Sequence, residues 1–314
     1  MLWITEGEVE ELLDLDELMQ GLAGGFSSLS AGKVVGPDRP MVTVPNGYQL
    51  SMAAYRPGSP IVVKLVSVFH GNLTQGIPGH LALICVFDSE TGATRAVMDG
   101  TYVTAIRTAG AAAVSTQLLA RFDAKVLAVI GAGVQGRSHI KLFPRVRNVE
   151  EIRVASLSFR DAQAASQLDE RARAVRTCEE AVAGADIVAL CTTSPLPVIK
   201  YEWLKSGAHV TSVGYMPPGS ELDLRLLDGA RLFVETRIAF EHPPAGCVEL
   251  VDRDPNSATE LGEVILGIRP GRTNNGELTI YKAMGHAIED LVAAESIYRN
   301  AIAKGRGTFL DQYK

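Results

Sequence analysis

Two kinds of hydrophobic spacing divide the chain. From Glu6 to Leu22, the apolar residues Val9, Leu12, Leu13, Leu18, Met19 and Leu22 recur at intervals of three and four, with Glu8, Glu10, Glu11 and Asp14 between them. This spacing predicts an amphipathic helical segment, divisible into two short helices. Ser27 to Asp38, rich in Ser and Gly, reads as a loop. The period then shortens. Arg39–Pro45, Met52–Tyr55, Ile61–Val68, Leu81–Asp88 and Ala93–Met98 read as strands, the last two joined by a Glu90-Thr91-Gly92 turn. Short strands between tight turns predict a largely antiparallel sheet. A helix should follow through the alanines towards Ala120, with Asp99, Thr101 or Thr104 as its cap.

Beyond Lys125 the apolar residues come in unbroken runs: Val126–Ile130, Ile152–Leu157, Ala185–Thr193, Ala208–Gly214 and Arg231–Glu235. Such runs suit strands buried on both faces of a parallel sheet. Helical stretches separate them, one of them over Asp161 to Ala174. A short helix follows Thr259-Glu260, a last strand covers Leu278–Lys282, and a helix from Gly285 to Arg299 should leave this region and pack back on the first. The predicted fold class is α/β: a Rossmann-type doubly wound parallel sheet over residues 113–287, plus a second α+β domain formed by residues 1–112 with 288–314.

The Val126–Ile130 run leads straight into Gly131-Ala-Gly133-Val134-Gln135-Gly136. In Gly-x-Gly-x-x-Gly between strand and helix, the first glycine permits the turn, the second lets backbone approach a pyrophosphate, and the third lets helix pack on strand. The helix N-terminus then offers free N–H groups to the phosphates. A tight turn without a ligand is the alternative. NAD specificity usually shows a carboxylate about 20 residues on, to bind the ribose 2′-hydroxyl. Here that segment is Ser156-Leu157-Ser158-Phe159-Arg160. Two hydroxyls and an arginine suit a 2′-phosphate, which favours NADP over NAD. Thr192 and Thr193, at the carboxyl end of a later strand, lie where cofactor contacts fall in such sheets.

Lys64 interrupts the apolar run Ile61–Val68, and strand alternation puts it on one face with Val62 and Val66. A buried ammonium is costly without a partner, so Lys64 is a candidate site residue. Arg107 falls near the start of a helix, where a cation gains nothing from the helix dipole; an anionic ligand or a surface carboxylate would each explain it.

Composition narrows the field. The chain has 314 residues, a net charge of −6 and a pI near 5.6, which argue against a nucleic-acid surface. The apolar runs are too short to span a membrane, and the first residues are acidic where a signal peptide is basic. Cys85, Cys178, Cys191 and Cys247 lie far apart and read as reduced thiols in a cytoplasmic protein. No His, Cys or carboxylate spacing suggests a metal, and no serine stands at the centre of a nucleophile elbow.

Taken together, several segments resemble the ornithine cyclodeaminase/mu-crystallin family. They are Lys64 in its apolar strand, Met98-Asp99-Gly100…Thr104…Arg107-Thr108-Ala109, the Gly131–Gly136 turn, Gly207-Ala-His-Val210…Val213-Gly214, Glu221-Leu222-Asp223, and Leu278-Thr-Ile-Tyr-Lys-Ala-Met-Gly285…Ile288-Glu289-Asp290. The resemblance spans nearly the whole chain and implies a homodimer whose first domain supplies the dimer sheet and the substrate pocket. It implies that Arg39, Lys64 and Arg107 bind a substrate carboxylate, with Lys64 also catalytic. Arg107, Thr108 and Val213 join Gly131, Gly133, Val134, Gln135, Gly136, Ser156, Ser158, Arg160, Thr192 and Thr193 as expected contacts of NADP or NAD. Family members include cyclodeaminases, alanine dehydrogenases, and ketimine and cyclic imine reductases. The cyclodeaminases carry Gly-x-Asp-x-Pro-Gly-Lys where this chain has Gly214-Tyr215-Met216-Pro217-Pro218-Gly219-Ser220, so Met216 replaces the carboxylate and Ser220 the lysine. Methionine cannot transfer a proton. Ala283-Met284 stands where the deaminases have Ser-Val beside the nicotinamide. Both departures point to reduction of a C=N bond next to a carboxylate in a small imino or amino acid, with Met216 and Met284 among the residues that shape the pocket. An ornithine or lysine cyclodeaminase and a non-catalytic cofactor binder are the alternatives.

Overall fold

The computed structural model describes residues 1–311, apart from the side chains of His70 and Leu73; positions 312–314, assigned above to the first domain, lie outside the described residues. The chain divides into two compact units, Met1–Arg107 with His286–Lys314, and Thr108–Gly285.

The first unit opens with β1 (Leu2–Ile4), α1 (Glu6–Leu12) and α2 (Leu15–Ser30). The break between the helices is set by Asp14, whose side chain accepts from the Asp16 and Glu17 amides and caps α2. The helix runs on to Ser30, so the loop expected from Ser27 begins later. Ser27 and Ser28 satisfy their hydroxyls on the carbonyls of Ala23 and Gly24, one turn back, instead of breaking the helix. Then come β2 (Met41–Val44), β3 (Gly47–Ala54), β4 (Ile61–Val68), β5 (His80–Phe87) and β6 (Thr94–Asp99). Asp99 accepts from the amides of Thr101 and Tyr102 and so starts α3 (Thr101–Leu119), inside which the boundary between the units falls.

The second unit continues as β7 (Val126–Ile130), α4 (Val134–Val146), β8 (Glu151–Ala155), α5 (Phe159–Ser166), β9 (Ala172–Ala174), α6 (Cys178–Val182), β10 (Ile187–Leu190), β11 (His209–Ser212), α7 (Leu224–Gly229), β12 (Arg231–Val234), β13 (Thr259–Glu260), α8 (Leu261–Ile265) and β14 (Thr279–Lys282). The helix expected to reach Ala174 ends at Ser166, because Ala172–Ala174 pairs with β8 as an edge strand. The chain then returns to the first unit as α9 (Ala287–Lys304) and β15 (Thr308–Phe309).

The first sheet has the order β15-β1-β6-β5-β4-β3-β2 and is antiparallel except for the pairing of β1 with β6. Strands β1 and β15 escape sequence reading because each is only two or three residues long. Helix α9 lies against β3, β4 and β5 and against α2. The second sheet has the order β13-β12-β14-β11-β10-β7-β8-β9, and every pairing in it is parallel. The chain moves outward from β7 to β8 and β9, then crosses back to β10 on the other side of β7. That reversal makes the carboxyl ends of β7 and β10 the switch point, where open α/β sheets bind ligands.

Candidate functional site

In the first unit, alternation along β4 buries Val62, Lys64 and Val66 on the face covered by α9. The Lys64 ammonium donates to Asp290 Oδ1 at 2.8 Å, and the two side chains are 1% and 0% exposed. Arg107 Nε donates to the same oxygen at 3.2 Å, while its Nη1 donates to Glu289 Oε2 at 2.7 Å. Both carboxylates stand in the first turn of α9, where the helix dipole favours negative charge. Glu289 Oε1 accepts from the His286 amide at 2.8 Å, and His286 Nδ1 accepts from the Ile288 amide at 3.1 Å. The proton of a neutral His286 ring therefore sits on Nε2. Half-buried Arg39 acts electrostatically on both Asp290 and His286.

Lys64, Arg107 and Arg39 thus all act on Asp290, and Arg107 also pairs with Glu289. Burial pushes the Lys64 ammonium down to about 8; Arg107 adds to the shift, and Asp290 and Glu289 oppose it. For Asp290, burial works to raise the carboxyl, but the charges of Lys64, Arg107 and Arg39 hold it below its ordinary value. Burial, helped by Arg39 and Arg107, lowers His286 to about 4. Asp290 Oδ2 is buried with no hydrogen-bond partner among the described residues. This is a spare acceptor beside an ammonium, and buried acceptors of that kind are rare.

In the second unit the glycine turn follows β7. Gly131 has φ +107, and a Cβ there would lie 2.4 Å from the Cys191 carbonyl oxygen just past β10. A Cβ on Gly136 would lie 1.9 Å from the Gly131 carbonyl oxygen, so only glycine lets α4 sit this close to the strand. Gly133 differs: nothing lies within 4 Å of its Cβ position, and it caps α4 with no side-chain hydrogen bond. The space beside Gly133 at the start of α4 is therefore open, which fits a pyrophosphate. The donor set suits a dinucleotide and holds no carboxylate at the phosphate position.

Ser156 and Ser158 follow β8, the strand beside β7. Ser158 caps α5 by accepting from the Asp161 amide, and Arg160 is exposed on the first turn of that helix. Thr192 gives its hydroxyl and its amide to Glu221, so its side chain is already engaged, whereas Thr193 is exposed. Val213 is tied by its amide to the Leu190 carbonyl. Met216 is half-buried in a turn closed on Gly219, and Met284 packs partly against the core of this unit. Thr108 is half-buried in α3 at the start of the same unit. Arg39, Lys64 and Arg107 thus gather about one end of α9 in the first unit, and the expected cofactor contacts other than Arg107 all fall in the second.

Sequence reasoning passed over the charges that organise both units. Glu289 and Asp290 stood inside the Ile288-Glu289-Asp290 segment with no role assigned. Glu221, Glu235, Glu249 and Lys282 are all buried or nearly so, and each is bonded inside the second unit. Of these only Lys282, at the end of the apolar strand β14, carried the signal that marked Lys64.

A parallel sheet with a glycine turn at its switch point defines a dinucleotide-binding domain, here joined to a mixed-sheet unit that carries a buried cation cluster. Residues 2–305 match the model of the ornithine cyclodeaminase/mu-crystallin family, and the chain belongs to that family. Among its relatives is the ketimine reductase mu-crystallin of Mus musculus, 34% identical over 94% of this chain and 96% of that one. Among solved structures, the Thermococcus litoralis Δ1-pyrroline-2-carboxylate reductase in complex with NADH and L-proline superposes with a TM-score of 0.93. It is 33% identical and covers 99% of this chain and 100% of that one. An archaeal alanine dehydrogenase dimer with bound NAD gives a TM-score of 0.90 at 29% identity, covering 100% of this chain and 99% of that one.

Proposed function

We propose that the protein is an NAD(P)H-dependent oxidoreductase that reduces a C=N bond next to a carboxylate, as a ketimine or cyclic imine reductase or as an amino-acid dehydrogenase running the same step with ammonia. The observation that carries this reading is the buried Lys64–Asp290–Arg107 cluster, which sets an ammonium and a guanidinium beside a buried carboxylate oxygen that has no hydrogen-bond partner among the described residues. The relatives act on, or hold, substrates of that kind: a ketimine for mu-crystallin, L-proline with NADH for the Thermococcus enzyme.

Arg39 and Arg107 bind the substrate carboxylate, since each guanidinium offers a fork of donors. Lys64 gives a proton to the imine nitrogen as the neighbouring carbon gains a hydride. Asp290 keeps a positive substrate nitrogen tolerable beside Lys64, and its free Oδ2 accepts from that nitrogen. The nicotinamide, when bound, supplies the hydride. Gly131, Gly133, Val134, Gln135 and Gly136 hold its pyrophosphate. Ser156, Ser158 and Arg160 favour the 2′-phosphate of NADP, and Thr193, Val213, Thr108 and Met284 lie towards the nicotinamide end.

The unit Met1–Arg107 with His286–Lys314 serves as the substrate and dimerisation domain and Thr108–Gly285 as the cofactor domain, so the boundaries expected at 112 and 288 fall a few residues earlier. The face of the first sheet opposite Lys64 supports a homodimer. Leu65 and Leu83 pair directly across β4 and β5 and are 37% and 41% exposed, with Leu81 and Val42 also exposed on this face. Paired exposed leucines mark an interaction surface. None of the four cysteines forms a disulfide among the described residues, which fits a reducing compartment such as the cytoplasm. Among the described residues no helix is long and apolar enough to cross a membrane.

The test is a spectrophotometric screen of NADPH and NADH against Δ1-pyrroline-2-carboxylate, Δ1-piperideine-2-carboxylate, and pyruvate with ammonia. Net oxidation of the nucleotide with one of them supports the reading. Ammonia release from ornithine with no net nucleotide change would instead make the protein a cyclodeaminase, and tight nucleotide binding without turnover would make it a binder.

A further inference from the structure

Glu221 stands in the loop between β11 and α7, is 2% exposed, and pairs directly with no cation among the described residues. Its Oε2 accepts from the Thr192 amide and the Thr192 hydroxyl, each at 2.7 Å. Its Oε1 accepts from the Gly214 amide at 2.7 Å and the Ser212 hydroxyl at 3.0 Å. Four donors and no acceptor around one carboxyl group fit the anion. The nearest ammonium, Lys282 Nζ, is engaged elsewhere: it donates to the Gly214 carbonyl at 2.7 Å and pairs with Glu249 at 3.1 Å, reaching Ser212 at 3.3 Å. The glutamate has been given its own space, since a Cβ on Gly214 would lie 2.5 Å from Glu221 Cδ. Lys282 feels the charges of both Glu221 and Glu249, so two buried carboxylates share one ammonium, and a cationic group coming beside them would be favoured.

Its position bears on what such a cation would be. Thr192 and Gly214 lie just past the carboxyl ends of β10 and β11, on the edge where such sheets bind ligands. The Thr192 methyl is 3.2 Å from the Cβ position of Gly131, in the dinucleotide turn itself. The nicotinamide ring is cationic in the oxidised cofactor and neutral in the reduced one.

We propose that Glu221 is a positioning residue that joins the turns after β10 and β11 and presents a fixed negative charge to the oxidised nicotinamide. The charge favours the oxidised over the reduced cofactor and, in the reductive direction, eases departure of the hydride, because the ring gains positive charge as the hydride and its electron pair leave for the substrate carbon. A preorganised charge of this kind acts on the transition state at no cost of reorganisation. The inference rests on the oxidoreductase reading above.

The experiment measures dissociation constants of NADP⁺ and NADPH, in the absence of substrate, for the full chain and for Glu221→Gln and Lys282→Met. Glu221→Gln should shift the affinity ratio of oxidised to reduced cofactor by about tenfold towards the reduced form, an effect expected of one unit charge at partly buried range. Lys282→Met, which removes the cation that partly offsets Glu221, should move the ratio the other way and serves alone if Glu221→Gln does not fold. A merely structural clamp would weaken both forms alike, so a ratio that stays put in either folded variant overturns the role given to Glu221. Wild-type protein that binds neither nucleotide overturns the oxidoreductase reading itself.

Discussion

Lys64 on β4 and Asp290 on α9 are 226 residues apart in sequence and 2.8 Å apart in the fold, both out of contact with solvent. An ammonium in that setting is held ready to lose its proton. Exchanging it for Met keeps the volume and removes the donor. Lys64→Met should lower turnover by about 10²–10⁴-fold, the usual range for a general acid, while NADPH still binds the second unit. Steady-state rates beside a fluorescence titration of the nucleotide check it. Near-normal turnover removes Lys64 from the chemistry.

The same pair sets a pH dependence. With Lys64 near 8 against an ordinary 10.5, the proton-donating form declines as pH rises through about 8, so the reductive rate should fall above that point. Asp290 raises the lysine, opposing burial and Arg107. Asp290→Asn should therefore move the falling limb to lower pH. Stability runs in the opposite sense. Between about 8 and 10.5 the unfolded chain holds the Lys64 proton that the folded one has shed, so the contribution of this group to stability rises with pH across that window. A pH–rate profile of both proteins tests the kinetic half. A limb that stays in place in Asp290→Asn excludes the coupling.

The glycine turn offers a clean separation of fold from ligand. Gly136→Ala places a methyl 1.9 Å from the Gly131 carbonyl oxygen and should cost about 3 kcal/mol of stability, along with cofactor binding. Gly133 has φ −74 and nothing within 4 Å of its Cβ position. Gly133→Ala should thus leave the melting temperature unchanged and weaken NADPH by about tenfold or more, because the methyl takes space left for the phosphates. Calorimetry and nucleotide titration of the two variants distinguish these outcomes. Unweakened binding in Gly133→Ala would show that the turn carries no pyrophosphate.

These contrasts mark what could be read along the chain and what could not. Local patterns survived folding: the unbroken Val126–Ile130 run became a central strand, and the alternation through Val62, Lys64 and Val66 became one buried face. Lys64 was conspicuous because a charge among β-branched residues violates the pattern. Its partner was not, since Asp290 follows Glu289 in the first turn of a helix, where two acids look like ordinary solvated capping residues. Glu221 was hidden in the same way, between Ser220 and Leu222 in a loop rich in Gly and Pro. Only the crossing of distant segments makes these carboxylates partners, and no spacing along the chain records such a crossing. Ala172–Ala174 was misread as helical for a related reason: alanine and arginine favour a helix, and pairing with β8 overrode that preference.

Arg160 is exposed on α5, two residues past the Ser158 cap, and is the residue proposed to favour NADP. A charged hydrogen bond to the 2′-phosphate is worth about 1.5–3 kcal/mol. Arg160→Ala should raise the KM for NADPH at least tenfold and leave that for NADH within about twofold. Equal effects on both nucleotides, or none, would place the 2′-position elsewhere.

Leu65 and Leu83 face each other across β4 and β5 on the side of the sheet away from α9, more than a third exposed. A second copy presenting the same strands would bury both leucines twice over, as a twofold interface requires. Each buried leucine contributes about 1.5–3 kcal/mol, so placing charge at the pair should divide the dimer without disturbing the inward face that carries Lys64. Leu65→Lys with Leu83→Lys is expected to run as a monomer in light scattering at micromolar concentration, where the unaltered chain is expected to run as a dimer, with NADPH binding retained because the glycine turn lies in the other unit. A wild-type chain that is already monomeric, or a double variant that stays dimeric, rules out this face as the interface.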